Sequence, residues 1–263
     1  DGKVTIPSNN KSLYEVLIDA YSEDKNPTIT QPSMTISSST AKAYEVGTNV
    51  TPAYSSSFNA GSYEYGPNPT GVTATTYAAS NNKTEETADT ATGTFAEYQV
   101  VDGSNYNITL AITYGDGAVP KTALGADYDA GKIVGKTISK TSGNISGYRN
   151  SFYGTTTDVA AETTSDVIRG LSQKSNKALA NGNTFTVNIP VGAQRVIIAY
   201  PATLRAVTSI KDVNGLNADI TSAFASSTVS VAGANGYSPI EYRVYTQDYA
   251  KPNDTANTYS VTI

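Results

Sequence analysis

Apolar and polar residues alternate with a period of two through much of the chain, which is the pattern of half-buried β-strands. Turn residues divide the first part of this pattern into short strands, predicted at residues 34–36, 43–46, 62–65, 72–78, 95–101 and 106–114. The last two strands flank Asp102-Gly103 and are predicted to form a hairpin. The polar run 80–94 predicts a long exposed loop.

The alternation returns towards the carboxyl terminus, with strands predicted at residues 184–190, 194–200, 228–231, 239–246 and 259–263. In the fourth of these, the spacing places Tyr242 and Tyr245 on opposite faces. Short antiparallel strands separated by turns predict a mainly β protein with two antiparallel β-sandwich domains, immunoglobulin-like or jelly-roll-like. We place these domains at residues 31–118 and 172–263.

Two segments lie outside the predicted sandwich domains. Residues 119–171 are rich in glycine and aromatic residues, and they predict a connector packed on both neighbours, with Ser165 capping a short helix. Residues 1–30 predict a helical attachment segment, because Ser12 and Glu15 have capping-box spacing and Asn26-Pro27 ends the pattern.

The apolar side chains of this helix recur at helical spacing, at Leu13, Val16, Leu17, Ala20 and Tyr21. Such a stripe needs a surface on which to be buried. It either packs on its own domain or docks on a partner subunit, and the sequence leaves both options open.

Composition narrows the chemistry. The chain of 263 residues contains no histidine, cysteine or tryptophan, but it contains 19 tyrosines. Histidine is the usual proton shuttle near neutral pH, and cysteine is a strong nucleophile and a frequent metal ligand. Their absence predicts a protein that is not an enzyme and that needs neither a cofactor nor a metal. It also rules out disulfides, so burial and hydrogen bonding must hold the fold.

Charge argues against nucleic acid as a partner, and the length of the apolar stretches argues against a membrane. The net charge is −5; residues 1–118 carry 13 acidic and 5 basic residues (net −8), whereas residues 119–263 carry 10 and 13 (net +3). Nucleic-acid binding requires a clustered basic face, which this balance disfavours. Apolar stretches fall short of the roughly 18 residues of a membrane span, so membrane insertion is not expected. The chain begins Asp1-Gly2 without methionine, as expected of a processed product or a fragment.

Acidic residues give weak signals for calcium. Asp127-Tyr128-Asp129 resembles the start of a calcium loop, but Lys132 and Ile138 stand where that loop needs a glycine and a bidentate glutamate. A polar turn is therefore predicted there. An irregular calcium site between loops would use Asp212, Asn214, Asn253 and Asp254, but these residue types also form ordinary turns.

Glycoside hydrolysis is a further alternative, because it needs two carboxylates about 5–10 Å apart. Glu64, Glu97 and Glu241 are predicted on strands and are the candidates for such a pair. Without tryptophan and without a second signal, we rank this glycan depolymerase hypothesis last.

Tyrosine is the strongest remaining signal, since its ring offers rigid amphipathic contact area to protein partners and sugars. Most strand tyrosines are expected to cover sheet faces. The candidates for contact with a partner or a glycan are Tyr63, Tyr65, Tyr148, Arg149 and Tyr153. Alternation places the first two on one face.

Several stretches of the chain resemble segments of tailed-bacteriophage virion structural proteins. They are the stretch from residues 46–48 through 61–67, residues 147–154, 165–171 and 189–193 with 198–202, and the ending from 233–237 to 254–259. The resemblance extends over most of residues 30–263 and includes no catalytic signature, so no functional residue is transferred.

The resemblance implies a virion component, such as a head or tail fibre, decoration or adhesion protein. Such proteins are often oligomeric, commonly trimeric. The expected partners are other virion proteins, further copies of the chain and a glycan of the host surface. The alternative is a bacterial cell-surface adhesin or carbohydrate-binding module.

Overall fold

The computed structural model describes residues 12–21, 23–69, 72–103 and 105–263. The chain is 43% strand and 8% helix, which confirms the mainly β prediction. Its contacts form two compact units. Unit 1 comprises the described residues of Asp1–Ser39, Ala53–Thr94 and Asn107–Ser142, and unit 2 comprises those of Thr40–Pro52, Phe95–Tyr106 and Gly143–Ile263.

The helices are α1 (Leu13–Tyr21) and α2 (Ser165–Arg169), with 3-10 turns at Asp129–Gly131, Thr221–Ala223 and Ala234–Gly236. The strands as far as Thr141 are β1 (Ile29–Thr30), β2 (Ser33–Ser37), β3 (Ala43–Glu45), β4 (Asn49–Val50), β5 (Ala53–Asn59), β6 (Ser62–Tyr63), β7 (Ala74–Asn81), β8 (Thr87–Ala88), β9 (Thr92–Thr94), β10 (Tyr98–Gln99), β11 (Asn105–Tyr106), β12 (Ile108–Tyr114) and β13 (Lys136–Thr141). The strands that follow are β14 (Ile145–Tyr148), β15 (Phe152–Thr156), β16 (Gln173–Lys174), β17 (Thr184–Ile189), β18 (Arg195–Pro201), β19 (Ser209–Asp212), β20 (Ala218–Asp219), β21 (Ala225–Val231), β22 (Ile240–Asp248) and β23 (Asn257–Thr262).

Unit 1 is built around β12, whose residues alternate between buried and half-buried positions. This strand pairs antiparallel with β7 on one side and β13 on the other, in the order β13-β12-β7-β8. The sheets β2-β5-β9 and β1-β6 complete the unit. A hydrophobic cluster gathers Val72, Tyr114 and Ile133, with Phe58 and Tyr63 packed against them.

The predicted hairpin of residues 95–101 and 106–114 is wrong. The first segment retains β10, which pairs with β4, whereas β12 pairs with β7 and β13. The reason is that β7 and β13 offer eight and six residues to β12, so long-range pairing decides the register over the local turn signal at Asp102-Gly103. The predicted loop 80–94 also contains strands, the short β8 and β9.

Unit 2 contains a five-stranded sheet, β16-β15-β18-β22-β21, and a four-stranded sheet, β17-β23-β19-β20. Along β18 nearly every residue is buried. Its residues Val196, Ile198 and Tyr200 lie in one hydrophobic cluster with side chains of the four-stranded sheet. Its residues Ile197 and Ala199 lie in a second cluster, to which α2 and β21 contribute.

The two faces of β22 follow the prediction. Tyr245 belongs to the first of these clusters and Tyr242 to the second, so their opposite orientation is confirmed. Shorter strands complete unit 2. β14 pairs antiparallel with β11 and parallel with β3, and β10 pairs with β4. The pairs with β11 and β3 place segments that are distant in sequence beside β14, the strand that precedes β15.

The capping box of α1 is confirmed. The Glu15 N–H donates to the Ser12 hydroxyl at 3.3 Å, and the Ser12 N–H donates to the Glu15 carboxylate at 2.5 Å. The helix ends at Tyr21, before the predicted stop at Asn26-Pro27. None of the described helices is long and apolar enough to cross a membrane.

Part of the predicted apolar stripe of α1 faces solvent. Leu17 and Tyr21 are exposed, and so is Tyr14 on the same side of the helix. The side chains of Leu13 and Ala20 lie outside the described part of the chain.

α2 has a different cap from the predicted one. Thr164 rather than Ser165 is the N-cap, and its hydroxyl accepts the Val167 N–H at 3.4 Å. The Ser165 hydroxyl instead accepts the Ala232 N–H at 3.1 Å. The helix therefore begins one residue earlier than predicted, at Ser165, because the Thr164 hydroxyl provides the capping acceptor.

The predicted domain limits stay a prediction, since compact units of contacts are not by themselves independently folding domains. Of the predicted connector, residues 119–142 contribute β13 to unit 1, and residues 143–171 contribute β14, β15 and α2 to unit 2. This region is therefore more regular than its glycine content indicates. Residues 1–11 of the predicted attachment segment lie outside the described residues.

Candidate functional site

The predicted contact residues fall into two groups. Tyr63 and Tyr65 belong to unit 1, and Tyr148, Arg149 and Tyr153 belong to unit 2. The two groups differ in how their polar atoms are used, and each is described by itself.

Tyr63 serves the interior of unit 1. Its hydroxyl donates to the Ala118 carbonyl oxygen at 2.8 Å and accepts the Ile133 N–H at 3.0 Å. Its ring packs against the buried cluster of unit 1. A hydroxyl that both donates and accepts within the fold has little capacity left for a partner, so the geometry gives Tyr63 a structural role.

Tyr65 follows β6 in a bend instead of continuing the predicted strand 62–65. Its hydroxyl hydrogen-bonds the neighbouring Glu64 carboxylate, and this bond is the first cause of the raised pKa of Tyr65. The pKa of Glu64 is lowered, chiefly by hydrogen bonds from Thr28, whose N–H lies 2.9 Å from Glu64 Oε2. The Tyr65 hydroxyl is therefore bonded to a carboxylate that also accepts the N–H of Thr28, the residue before β1.

In unit 2, residues 147–154 form the end of β14, a turn and the start of β15. Gly147 is required by a close approach, because a Cβ there would lie 2.4 Å from the Val101 carbonyl oxygen. Between the strands, Arg149, Asn150 and Ser151 are only 9%, 3% and 1% exposed. Three consecutive buried polar residues cost free energy unless they are hydrogen-bonded, so their partners matter.

Arg149 is held by Asp102. Its Nε lies 3.1 Å from both carboxylate oxygens, and its Nη2 donates to Oδ2 at 2.5 Å. The Arg149 side chain is 7% exposed, while that of Asp102 is 49% exposed. The Tyr237 ring centroid lies 5.2 Å from the guanidinium carbon, within cation–π range. Nη1 is buried and has no hydrogen-bond partner among the described residues.

A second ion pair lies in the same unit. Glu45 accepts Arg169 Nη1 at 2.5 Å on one oxygen and Asn150 Nδ2 at 2.8 Å on the other. Arg169 also donates to the Ala232 carbonyl oxygen at 2.7 Å. The Tyr242 hydroxyl donates to the Asn150 carbonyl oxygen at 2.8 Å. Asn150 thus joins β22 to this pair. We call Glu45, Asp102, Arg149, Asn150 and Arg169 the polar centre of unit 2.

Sequence reasoning found Arg149 but missed Glu45, Asp102 and Arg169. Asp102 was interpreted only as a turn residue, and Arg169 only as part of a short helix. The available signal was weak: Glu45 interrupts an otherwise uncharged predicted strand, and charged residues in such positions need a partner when buried. Which partner it has depends on the fold.

A cavity of about 420 Å³ lies beside Asp102, Tyr148 and Arg149. The rest of its lining is mostly apolar, from Gly147, Ala178, Leu179, Pro201, Thr203, Leu204 and Ile240. Burial, followed by the negative charge of Glu45, raises the pKa of Tyr148. This hydroxyl is therefore protonated at neutral pH and is able both to donate and to accept a hydrogen bond.

This lining defines what the cavity can do. The Asp102 carboxylate can accept hydrogen bonds from hydroxyl groups, and it also neutralises Arg149, so the cavity has no large net charge. Apolar walls with a few fixed polar groups are typical of small-ligand sites. The combination suits a neutral ligand with several hydroxyl groups and one apolar face, such as a sugar residue.

Tyr153 lines a second cavity, of about 430 Å³, together with Lys174 and Lys177. Its ring packs against Phe185, tilted by 35° with the ring centroids 4.8 Å apart, and burial raises the pKa of Tyr153. Leu179 lines both cavities. Packing against Phe185 therefore restricts the Tyr153 ring. Tyr148 and Arg149 are better placed to contact a partner or a glycan.

The alternative carboxylates do not support a catalytic pair. Glu241 lies on β22 as expected, but Glu64 follows β6 and Glu97 precedes β10, so the strand prediction is wrong for these two residues. Glu97 accepts the Asn49 amide at 2.8 Å. Long-range hydrogen bonds, from Thr28 to Glu64 and from Asn49 to Glu97, hold these two carboxylates outside the strands.

The candidate calcium ligands also bind the chain's own donors. Asp127 forms an ion pair with Lys121 at 2.6 Å, and Asp254 forms one with Lys251 at 2.8 Å. Asp212 accepts the Gly215 N–H at 2.8 Å. Within residues 12–21, 23–69, 72–103 and 105–263, no group of three or more acidic, histidine or cysteine side chains is placed to hold a metal ion.

Comparisons with protein-family models, with curated protein sequences and with solved structures give no match for this chain.

Proposed function

We propose that this chain is a non-enzymatic structural component of a bacteriophage virion, of the head or tail fibre, decoration or adhesion type. The resemblance of residues 147–154 and the other matching stretches to virion proteins supports this function. The mainly β architecture is compatible with it. In the infection cycle of the phage, this chain would be part of the assembled, extracellular particle.

The finer fold that we propose is two antiparallel β-sandwich domains, immunoglobulin-like or jelly-roll-like. Unit 2 supports this, because side chains of its five-stranded and four-stranded sheets share one hydrophobic cluster around Ile198, Ile210 and Val261. In unit 1, β13 of the four-stranded sheet lies close to β2 of the three-stranded sheet.

The observation that carries the functional proposal is the cavity at Asp102, Tyr148 and Arg149. Burying a guanidinium costs desolvation free energy, so the buried Arg149, paired with the half-exposed Asp102 beside an open cavity, is better explained by binding than by stability. Its lining suits a sugar residue. We propose that the cavity takes part in attaching the particle to a glycan of the host surface.

The exposed side of α1 supports the other half of the proposal, which is attachment to the particle. Tyr14, Leu17 and Tyr21 are 73%, 48% and 85% exposed. Their spacing of three and seven residues places them on one side of the helix. We propose that a neighbouring virion protein covers this side. Further copies of the chain are also proposed partners, with a trimer favoured by the resemblance.

Mass spectrometry of density-purified phage particles tests the virion proposal. The expected result is that peptides of this chain co-purify with the particles in many copies per particle, in a constant ratio to the major capsid protein. Peptides found instead in the bacterial envelope fraction would favour the alternative, a cell-surface adhesin or carbohydrate-binding module, for which the same cavity is the supporting observation.

A further inference from the structure

The outer edge of β21 is unprotected. This seven-residue strand forms one edge of the five-stranded sheet in unit 2. Ala225, Ser226, Ser227 and Thr228 are all exposed, so both faces of the strand are open over this stretch. In the described part of the chain, the backbone of Ala225–Val231 makes no hydrogen bonds other than those to β22.

Other long edges in the described sheets are protected. β13 carries Lys136 and Lys140, and lysine on an edge strand discourages pairing. β17 is capped by Gln173, whose side-chain amide donates to the Asn188 carbonyl at 2.9 Å and accepts the Asn188 N–H at 3.0 Å. β2 follows Pro32 and lies beside β13.

β21 has neither kind of protection. Its sequence, Ala-Ser-Ser-Thr-Val-Ser-Val, contains no charged residue and no proline, and no side chain caps its backbone within the described residues. An exposed, uncharged edge of this length is a template for a further strand, because alternate N–H and C=O groups point away from the sheet. Natural proteins leave such an edge where a partner covers it.

We propose that β21 pairs antiparallel with β21 of a second copy of this chain, about a twofold axis. A charged partner is disfavoured, because the edge offers it no opposite charge. A second copy places serine and threonine opposite serine and threonine. With the axis at Thr228, Ser226 lies opposite Ser230 of the second copy, and Thr228 lies opposite itself.

Like-with-like hydroxyl pairing is already how this chain joins its own strands. Hydroxyl groups meet across neighbouring strands at 2.8–2.9 Å in Ser37–Ser55, Thr109–Thr141, Thr113–Thr137 and Thr184–Thr262. Such cross-strand pairs stabilise a sheet. A hollow of about 320 Å³ beside Ser226, Thr228 and Arg243 leaves room for the second copy's side chains.

Sedimentation velocity over a concentration series tests this pairing. The unmodified chain is expected to form dimers. In the double variant S226K/T228K, lysines of the two copies face one another, so the dimer dissociation constant should rise by about tenfold or more. The matched control S33K/T35K makes the same exchange at exposed positions of the protected edge strand β2 and should leave the dissociation constant unchanged.

Three results would overturn the pairing: a chain that stays monomeric at all concentrations, an oligomer unaffected by S226K/T228K, or equal weakening by the control. If S226K/T228K does not fold, amide hydrogen exchange of the unmodified chain decides, since exchange at Ala225–Val231 should slow as concentration rises. This inference does not depend on the virion proposal. A twofold contact alone gives a dimer, so a trimer insensitive to S226K/T228K would contradict it while leaving that proposal standing.

Discussion

The two units bury polar groups in different ways. In unit 1, the ring of Tyr63 packs against the hydrophobic cluster, and the partners of its hydroxyl are backbone groups. In unit 2, two ion pairs contain a largely buried charge: Arg149, whose partner Asp102 is half-exposed, and Glu45, whose partner is Arg169. A hydroxyl bonded to backbone is cheap to bury, whereas a buried charge is not.

This difference indicates where function lies. Apolar residues would stabilise unit 2 at least as well as an ion pair, and the ion pairs therefore need a reason beyond stability. The reason that we propose is the cavity beside Arg149. In unit 1, by contrast, the hydroxyl of Tyr63 serves the fold, because both of its hydrogen bonds are made to backbone groups.

The largest expected effect comes from breaking the more buried ion pair. Arg169→Ala leaves the Glu45 carboxylate, whose side chain is 12% exposed, without its charged partner. We expect the free energy of unfolding to fall by about 3 kcal/mol, measured by urea titration. Lys251→Ala removes one half of a pair that is 76% and 75% exposed, and it should cost about 0.5 kcal/mol or less.

A double-mutant cycle sharpens this result. If Glu45→Gln together with Arg169→Ala costs clearly less than the sum of the two single changes, the charges are coupled as the structure indicates. An Arg169→Ala variant no less stable than Lys251→Ala would show that the polar centre of unit 2 is solvated, and the contrast between the units would fail.

The next effect is expected in unit 1. Tyr63→Phe removes the bond to the Ala118 carbonyl and leaves the N–H of Ile133, a fully buried residue, without its acceptor. We expect a loss of about 1–3 kcal/mol in the free energy of unfolding. Tyr14→Phe removes the same atom from a side chain that is 73% exposed and should change stability by less than about 0.5 kcal/mol. Equal losses of stability in Tyr63→Phe and Tyr14→Phe would contradict the structural role of Tyr63.

The smallest effect concerns the exposed ion pair of β18 with β22. Hydrogen bonds from Arg195 are the first cause of the lowered pKa of Asp248, whose side chain is 50% exposed. Because the folded pKa lies below the unfolded one, the stabilisation is present above the unfolded value of about 3.9 and is lost as the pH falls through the folded value.

Asp248→Asn should therefore destabilise the protein by about 0.5–1 kcal/mol at pH 7, after allowance for solvent screening, and this loss should shrink as the pH falls through the folded pKa of Asp248. Thermal unfolding from pH 7 downwards measures this difference. A difference between the unmodified chain and the variant that stays constant over that range would contradict the assignment to the Asp248 charge.

Sequence patterns predicted the elements whose information is local. The capping box at Ser12 and Glu15, the buried strand β18 and the opposite faces of Tyr242 and Tyr245 all depend on residues within a few positions of one another. Strand alternation was also enough to indicate a mainly β protein.

The contacts that sequence reasoning missed join residues that are distant in the chain. Glu45 meets Arg169 across 124 positions and Asp102 meets Arg149 across 47, and neither pairing leaves a periodic signal. The false hairpin has the same origin, because the pairing of β12 is decided by β7 and β13 rather than by the turn at Asp102-Gly103. Arg149 could be proposed from the aromatic-rich stretch 147–154 that contains it, but its partner Asp102 could not.

Glycan binding at the cavity of unit 2 tests the central claim most directly. Thr203 is exposed and lines the cavity, so Thr203→Trp should fill it without disturbing the core, while Thr186→Trp places the same ring on exposed β17 outside the cavity. On an array of bacterial surface polysaccharides, we expect the unmodified chain and Thr186→Trp to bind the same glycan and Thr203→Trp to lose that binding. Unchanged glycan binding by a folded Thr203→Trp, or no binding by the unmodified chain, would contradict the account.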